Sequence, residues 1–82
     1  MDCKSGFGEV LREARLATGM SQERFAHAVG MDRTTISLLE RGKQSPTVET
    51  VWKLSEKLDV KPSTLMSRLE RLVGNHSTGQ GK

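Results

Sequence analysis

The sequence predicts an all-α fold: a compact bundle of five short helices, with the second and third joined by a tight turn. Three observations carry this expectation. Apolar residues recur three and four positions apart through almost the whole chain. Glycines and capping side chains interrupt that pattern at short intervals, so each helix must be brief. No alternation of apolar and polar residues runs long enough for a strand.

The first helix is expected over residues 6–18, where Phe7, Val10, Leu11 and Ala14 form one stripe and Gly19 ends it. Cys3 then falls in a frayed terminus. Ser21 supplies the cap of a second helix over residues 22–29, with Phe25, Ala26 and Val29 on one face and Gly30 as its stop. Asp32 is expected to cap the third helix, residues 33–41, which Gly42 closes. Lys43-Gln44-Ser45-Pro46 reads as a loop, with Thr47 or Ser45 to cap the fourth helix. There Val48, Val51, Leu54 and Leu58 make the expected buried stripe, with Trp52 beside it. Asp59-Val60-Lys61 breaks the pattern, and Pro62 suits the first turn of a fifth helix carrying Leu65, Met66, Leu69, Leu72 and Val73. The domain is thus expected over residues 6–73. Residues 74–82 contain nothing apolar, so a disordered tail is expected there.

Composition narrows the function classes. A chain of 82 residues fits one domain and has little core with which to stabilise itself. Its single cysteine, Cys3, allows no internal disulfide, and His27 and His76 are too far apart in the chain to suggest a metal site. No metal and no cofactor are expected. No window approaches the roughly 18 apolar residues of a membrane span, and no signal-peptide run opens the chain, so a soluble cytoplasmic protein without a membrane partner is expected. Paired carboxylates, a workable Cys–His spacing and a Gly-rich phosphate loop are all lacking, which argues against an enzyme. His27 projects away from the Phe25–Val29 stripe and reads as a solvated side chain. The formal charge of +3, from 13 basic and 10 acidic residues, permits nucleic-acid binding without establishing it.

The third helix is more informative. Projected at about 100° per residue, Ile36, Leu39 and Glu40 point one way, while Arg33, Thr34, Ser37, Leu38 and Arg41 point the other. The second face holds two guanidinium groups and two hydroxyls but no carboxylate, although the chain has 10 acidic residues. Carboxylates are unfavourable beside phosphates, arginine pairs bidentately with guanine, and Leu38 suits a thymine methyl. Solvent alone also selects polar faces. The order of the flanking elements separates the two readings.

That order resembles the lambda repressor and Cro family, the XRE-type helix-turn-helix regulators. The resemblance covers about residues 7–69. It is carried by Leu11-Arg12-Glu13-Ala14-Arg15, Gly19-Met20-Ser21-Gln22-Glu23, Phe25-Ala26, Gly30-Met31, Ile36-Ser37, Glu40-Arg41-Gly42-Lys43, Pro46 and Leu54. Its most specific parts are the Ser-Gln-Glu start of the second helix and Ile-Ser-x-x-Glu-Arg-Gly-Lys. Arg24 and Phe25 depart from the usual glutamate and leucine without disturbing the match. The resemblance implies a transcriptional regulator of double-stranded DNA. It places Gln22 on a phosphate, Arg33, Thr34, Ser37 and Leu38 at base edges, and Thr35 on the backbone. Arg41, Lys43 and Gln44 would grip phosphates, although Lys43 is equally well read as a solvated loop charge. It also pairs Arg15 with Glu40 as a structural ion pair. A helical interaction module that has lost DNA binding is the rival, and Arg33 with Arg41 argue against it.

The fifth helix is wider in apolar residues than one packing face needs. Part of the stripe Leu65, Met66, Leu69, Leu72 and Val73 is therefore expected to form a homodimer interface, on a pseudo-palindromic operator, the alternative being that all five fill the monomer core. Repression or autoregulation is the expected outcome, with activation open where the site lies just upstream of a promoter. A phage-type repressor, a restriction–modification controller and an antitoxin, the last with a toxin partner, all remain open. Asp32-Arg33-Thr34-Thr35-Ile36-Ser37 looks similar to the controllers.

Overall fold

Local caps set the helix boundaries in the computed structural model, which describes residues 1–74. The order is α1 (Cys3–Thr18), α2 (Gln22–Val29), α3 (Arg33–Glu40), α4 (Val48–Leu58) and α5 (Pro62–Val73). Of the tail expected over 74–82, residues 75–82 lie outside the described residues. α1 begins three residues earlier than the apolar stripe suggested, because Asp2 Oδ1 accepts a hydrogen bond from Ser5 N at 2.8 Å. Cys3 therefore sits in a capped first turn and not in a frayed terminus. The same bond from Ser5 holds the Asp2 carboxyl below its ordinary range.

Ser21 Oγ accepts from Arg24 N at 3.1 Å, and Thr47 Oγ1 accepts from Thr50 N at 3.1 Å, so Thr47 is the cap of α4 and Ser45 is not. Asp32 occupies the cap position of α3 with extended backbone, but its side chain makes no capping hydrogen bond. α3 ends at Glu40, one residue earlier than expected, with Arg41 as its C-cap. Between α2 and α3 the chain reverses within a short turn. Gly30, at φ 82°, donates to Ala26 O at 2.9 Å, and Met31 N donates to the same oxygen at 2.9 Å.

α1 is the central element, packed against α3, α5 and α4, while α2 lies against α3 and α4. The core gathers Phe7, Val10, Leu11 and Ala14 from α1, Phe25 and Ala26 from α2, and Ile36 and Leu39 from α3. Val51, Leu54 and Leu58 of α4 and Leu65 of α5 complete it. Val48, expected in this stripe, is 74% exposed. It stands in the first turn of α4 at the edge of a groove, and the buried face of that helix runs instead through Val51, Leu54, Ser55 and Leu58.

Two features lock α3 to α1. The first is contact between backbones. A Cβ on Gly8 would lie 2.5 Å from Glu40 O and 2.6 Å from Leu39 O, so only glycine lets α1 pass this close to the end of α3. The second is a buried ion pair. Arg15 Nε donates to Glu40 Oε2 at 2.6 Å and Nη2 donates to Oε1 at 3.0 Å, while Nη1 donates to Met20 O at 2.8 Å. The hydrogen bonds to Glu40 raise the Arg15 pKa further above its already high value, so the guanidinium stays charged at every ordinary pH.

A methyl at position 8 should reverse the usual sign of a helical glycine substitution. Gly→Ala inside a helix normally stabilises by roughly 0.5–1 kcal/mol, whereas Gly8→Ala is expected to destabilise by about 1–3 kcal/mol through overpacking. Thermal unfolding followed by circular dichroism checks this, and an unchanged or raised Tm would contradict the close approach. Arg15→Ala leaves the Glu40 carboxylate buried without a counter-charge and is expected to cost about 3–5 kcal/mol. Urea unfolding measures that loss.

Candidate nucleic-acid interface

α3 divides into two faces because only one of them meets α1 and α2. Ile36 and Leu39 are fully buried and Glu40 nearly so, which holds the helix down along its length. On the opposite side Arg33 and Thr34 are exposed, and Thr35, Ser37 and Leu38 are half-buried along the flank. Arg41, Lys43 and Gln44 continue the exposed surface beyond the helix. Arg41 folds back along this surface, and its Nε donates to Ser37 Oγ at 3.2 Å. The turn that carries Lys43 is closed by Lys43 N donating to Leu38 O at 2.9 Å.

The outward face is therefore cationic and hydroxyl-bearing, from Arg33 at its start to Lys43 past its end. Asp32, exposed at the cap position, precedes this face, and the one carboxylate within α3, Glu40, is turned inward. Gln22 opens α2, half-buried, beside the end of α3. Its amide is not free: Nε2 donates to Glu40 Oε1 at 2.9 Å. The structure thus brings Arg15, Gln22 and Glu40 together under α3, while Arg33, Thr34, Ser37, Leu38, Arg41, Lys43 and Gln44 lie along its outer side and the following loop.

Sequence reasoning missed the Gln22–Glu40 bond, because the partners are 18 positions apart. It also missed Gly8, although a glycine inside a helical stripe costs about 1 kcal/mol and so asks for a packing reason. His27 is exposed. Among the described residues no cluster of His, Cys, Asp and Glu is arranged to hold a metal ion. No helix of the described residues is long and apolar enough to cross a membrane.

The apolar stripe of α5 divides between the core and the surface. Leu65 is completely buried in the monomer core and is not available to a partner. Leu69 packs partly against the same core, and Val73 lies against α1, where its Cγ2 would meet a Cβ on Gly6 at 3.1 Å. Met66 and Leu72 are the exposed members. The larger exposed apolar groups lie on α4, where Val48 is joined by Trp52, 57% exposed. Val48 and Met66 line one groove of about 250 Å³ together with Cys3, Phe7, Pro46 and Leu69. The reason is geometric: the α5 stripe is used from its Leu65 side by the monomer, which leaves only its far edge open.

Comparison with known proteins agrees with this arrangement. The Helix-turn-helix family model matches residues 11–65, from the middle of α1 to the first turns of α5. The chain is 37% identical over 71 residues to control protein C.MunI of Mycoplasma sp., covering 85% of this chain and 96% of that protein. It is 39% identical over 57 residues to the HTH-type transcriptional regulator SutR of Escherichia coli (strain K12), covering 70% of this chain but only 32% of SutR. A solved structure, the restriction–modification controller protein C.Esp1396I tetramer in complex with its natural 35 base-pair operator, superposes with a TM-score of 0.79. That match has 27% identity and covers 89% of this chain and 96% of the controller. With the matched segment running through α2, the turn and α3, the chain belongs to the lambda repressor- and Cro-like (XRE-type) helix-turn-helix family of transcriptional regulators.

Proposed function

We propose that this regulator reads the major groove of double-stranded DNA with α3, as a homodimer on a pseudo-palindromic operator, and acts as a repressor or autoregulator. The observation that carries the reading is the division of α3: Ile36, Leu39 and Glu40 are held inside, while Arg33 and Thr34 stand exposed with no carboxylate on that helix face. An α-helix fits the major groove, and a helix anchored along one side can enter it with its other side. The likeness to C.MunI and to C.Esp1396I on its operator supports control of a restriction–modification operon above the phage-repressor and antitoxin roles. A cytoplasmic location follows from that role.

The roles divide by position. Arg33 and Thr34, at the start of α3, meet base edges, with Ser37 and Leu38 one turn further along. Arg41, whose Nε donates to Ser37 Oγ, grips a phosphate at the end of the helix. Thr35, Lys43 and Gln44 contact the backbone, and Gln22 donates to a phosphate from the start of α2. Two such units, related by a two-fold axis, place their α3 helices about 34 Å apart, one turn of DNA. The face best suited to that axis is Met66 and Leu72 of α5 with Val48 and Trp52 of α4, since these side chains are apolar and unpaired in the monomer. A dimer of this kind over a promoter excludes polymerase by occupying it.

Selection of bound duplexes from a random pool is expected to return an inverted repeat with half-sites about one helical turn apart. Arg33→Ala should then weaken the selected duplex by about 1–3 kcal/mol and relax preference at one base pair. Unchanged specificity in that variant would show that Arg33 does not read a base. Trp52→Glu is expected to convert the free protein from dimer to monomer in sedimentation-velocity experiments without lowering its helix content. A wild-type protein that sediments as a monomer and binds one copy per selected site would rule out the two-fold arrangement.

A further inference from the structure

Arg15 alone neutralises the Glu40 carboxylate, yet that carboxylate accepts a third hydrogen bond, from Gln22 Nε2 to Oε1 at 2.9 Å. The pair is buried, whereas Gln22 is half-exposed at the first position of α2. The amide therefore spans the boundary between the interior and the surface that faces DNA. A primary amide has two edges of opposite character: the nitrogen carries two donors and the oxygen only accepts. Only the nitrogen edge attracts a phosphate. An amide that is free to turn presents the wrong edge part of the time, and ordering it costs side-chain entropy on binding.

Glu40 removes that freedom. A carboxylate accepts and cannot donate, so the Gln22 amide can meet Oε1 only through its nitrogen. One Nε2 proton is then engaged and the second remains as the donor for an anion. Glu40 is in turn fixed by two donors of Arg15, and Arg15 also holds Met20 O in the turn that leads into α2. Because Glu40 is the last residue of α3, the same carboxylate marks the end of the reading helix.

We propose that Glu40 is a positioning residue for DNA binding, which orients the Gln22 amide nitrogen toward the phosphate backbone and sets that contact in register with α3. The inference rests on the reading of Gln22 as a phosphate donor. Glu40 itself touches no DNA, and its negative charge on its own opposes binding.

The test uses the whole chain and a duplex of random sequence, since a phosphate contact acts on all sequences alike. Arg15→Met combined with Glu40→Leu removes both charges together, so net charge is unchanged and no buried ion is left unpaired. This double variant is expected to bind the random duplex about ten- to a hundredfold more weakly, the size of one hydrogen bond to a charged group. Gln22→Ala should show the same loss, and the triple variant should lose no more than either. Full loss from Gln22→Ala in the double-variant background would overturn the proposal, because Gln22 would then work without Glu40.

A measurement on the unaltered protein decides the matter should the double variant not fold. In ¹H–¹⁵N spectra of the Gln22 side chain, the proton bonded to Glu40 is expected to keep its shift as random duplex is added, while its geminal partner moves. Return of the bonded proton to the shift of a free glutamine amide would overturn the proposal, since Gln22 would be leaving Glu40 to reach DNA. If neither proton moves and Gln22→Ala binds normally, the phosphate reading of Gln22 fails instead.

Discussion

The arrangement of this domain depends on the burial of one carboxylate. Glu40 closes α3 on its inward side, where an ionised group without partners would be prohibitively costly. Arg15 meets it with two donors and uses a third on Met20 O, so one guanidinium connects α1, the turn after it and the end of α3. Replacing such a pair by apolar residues is often neutral for stability, whereas its geometry is demanding. Its contribution here is therefore to orientation. Together with the contact at Gly8, where two backbones nearly touch, it determines the angle and depth at which α3 rests on α1.

That fixed seat lets a helix of only 8 residues work as a rigid element. An isolated helix this short does not persist in water. α3 persists because Ile36 and Leu39 are fully buried and the turn at Gly30 delivers it directly from α2. Once the inner face is committed, the outer face is free of packing demands and can be chosen for charge and hydrogen bonding. Arg33, Thr34 and Arg41 occupy it, and Arg41 is already ordered through Ser37. A side chain ordered before binding gives up less entropy at a groove than one that is free.

The small size of the core has a second consequence. Among the described residues twelve buried apolar side chains fill the space between the helices, and several large ones are left outside. Val48 and Trp52 of α4 and Met66 and Leu72 of α5 are among them. An apolar surface on these two helices is compatible with the proposed two-fold arrangement. The apolar width of α5 is nonetheless a poor guide to contact: half of that width is consumed inside the monomer.

Much of this was legible in the sequence, because the signals concerned are local. Ser21, Thr47, Gly19 and Gly30 act on backbone groups within a few residues of themselves, so helix number, order and most boundaries follow from the chain alone. The split of α3 into an apolar and a cationic face follows from the period of the helix, and the series of motifs from Leu11 to Leu54 was enough to suggest family likeness. What a period cannot state is which neighbour covers a stripe. Val48 and Leu65 look alike as apolar helix residues, yet one is 74% exposed and the other is completely buried. The bond from Gln22 to Glu40 and the approach at Gly8 likewise depend on where distant helices come to rest. Local sequence determined the pieces and their faces; only packing in three dimensions decided their partners, because hydrogen bonds and close contacts depend on distances that separation along the chain does not encode.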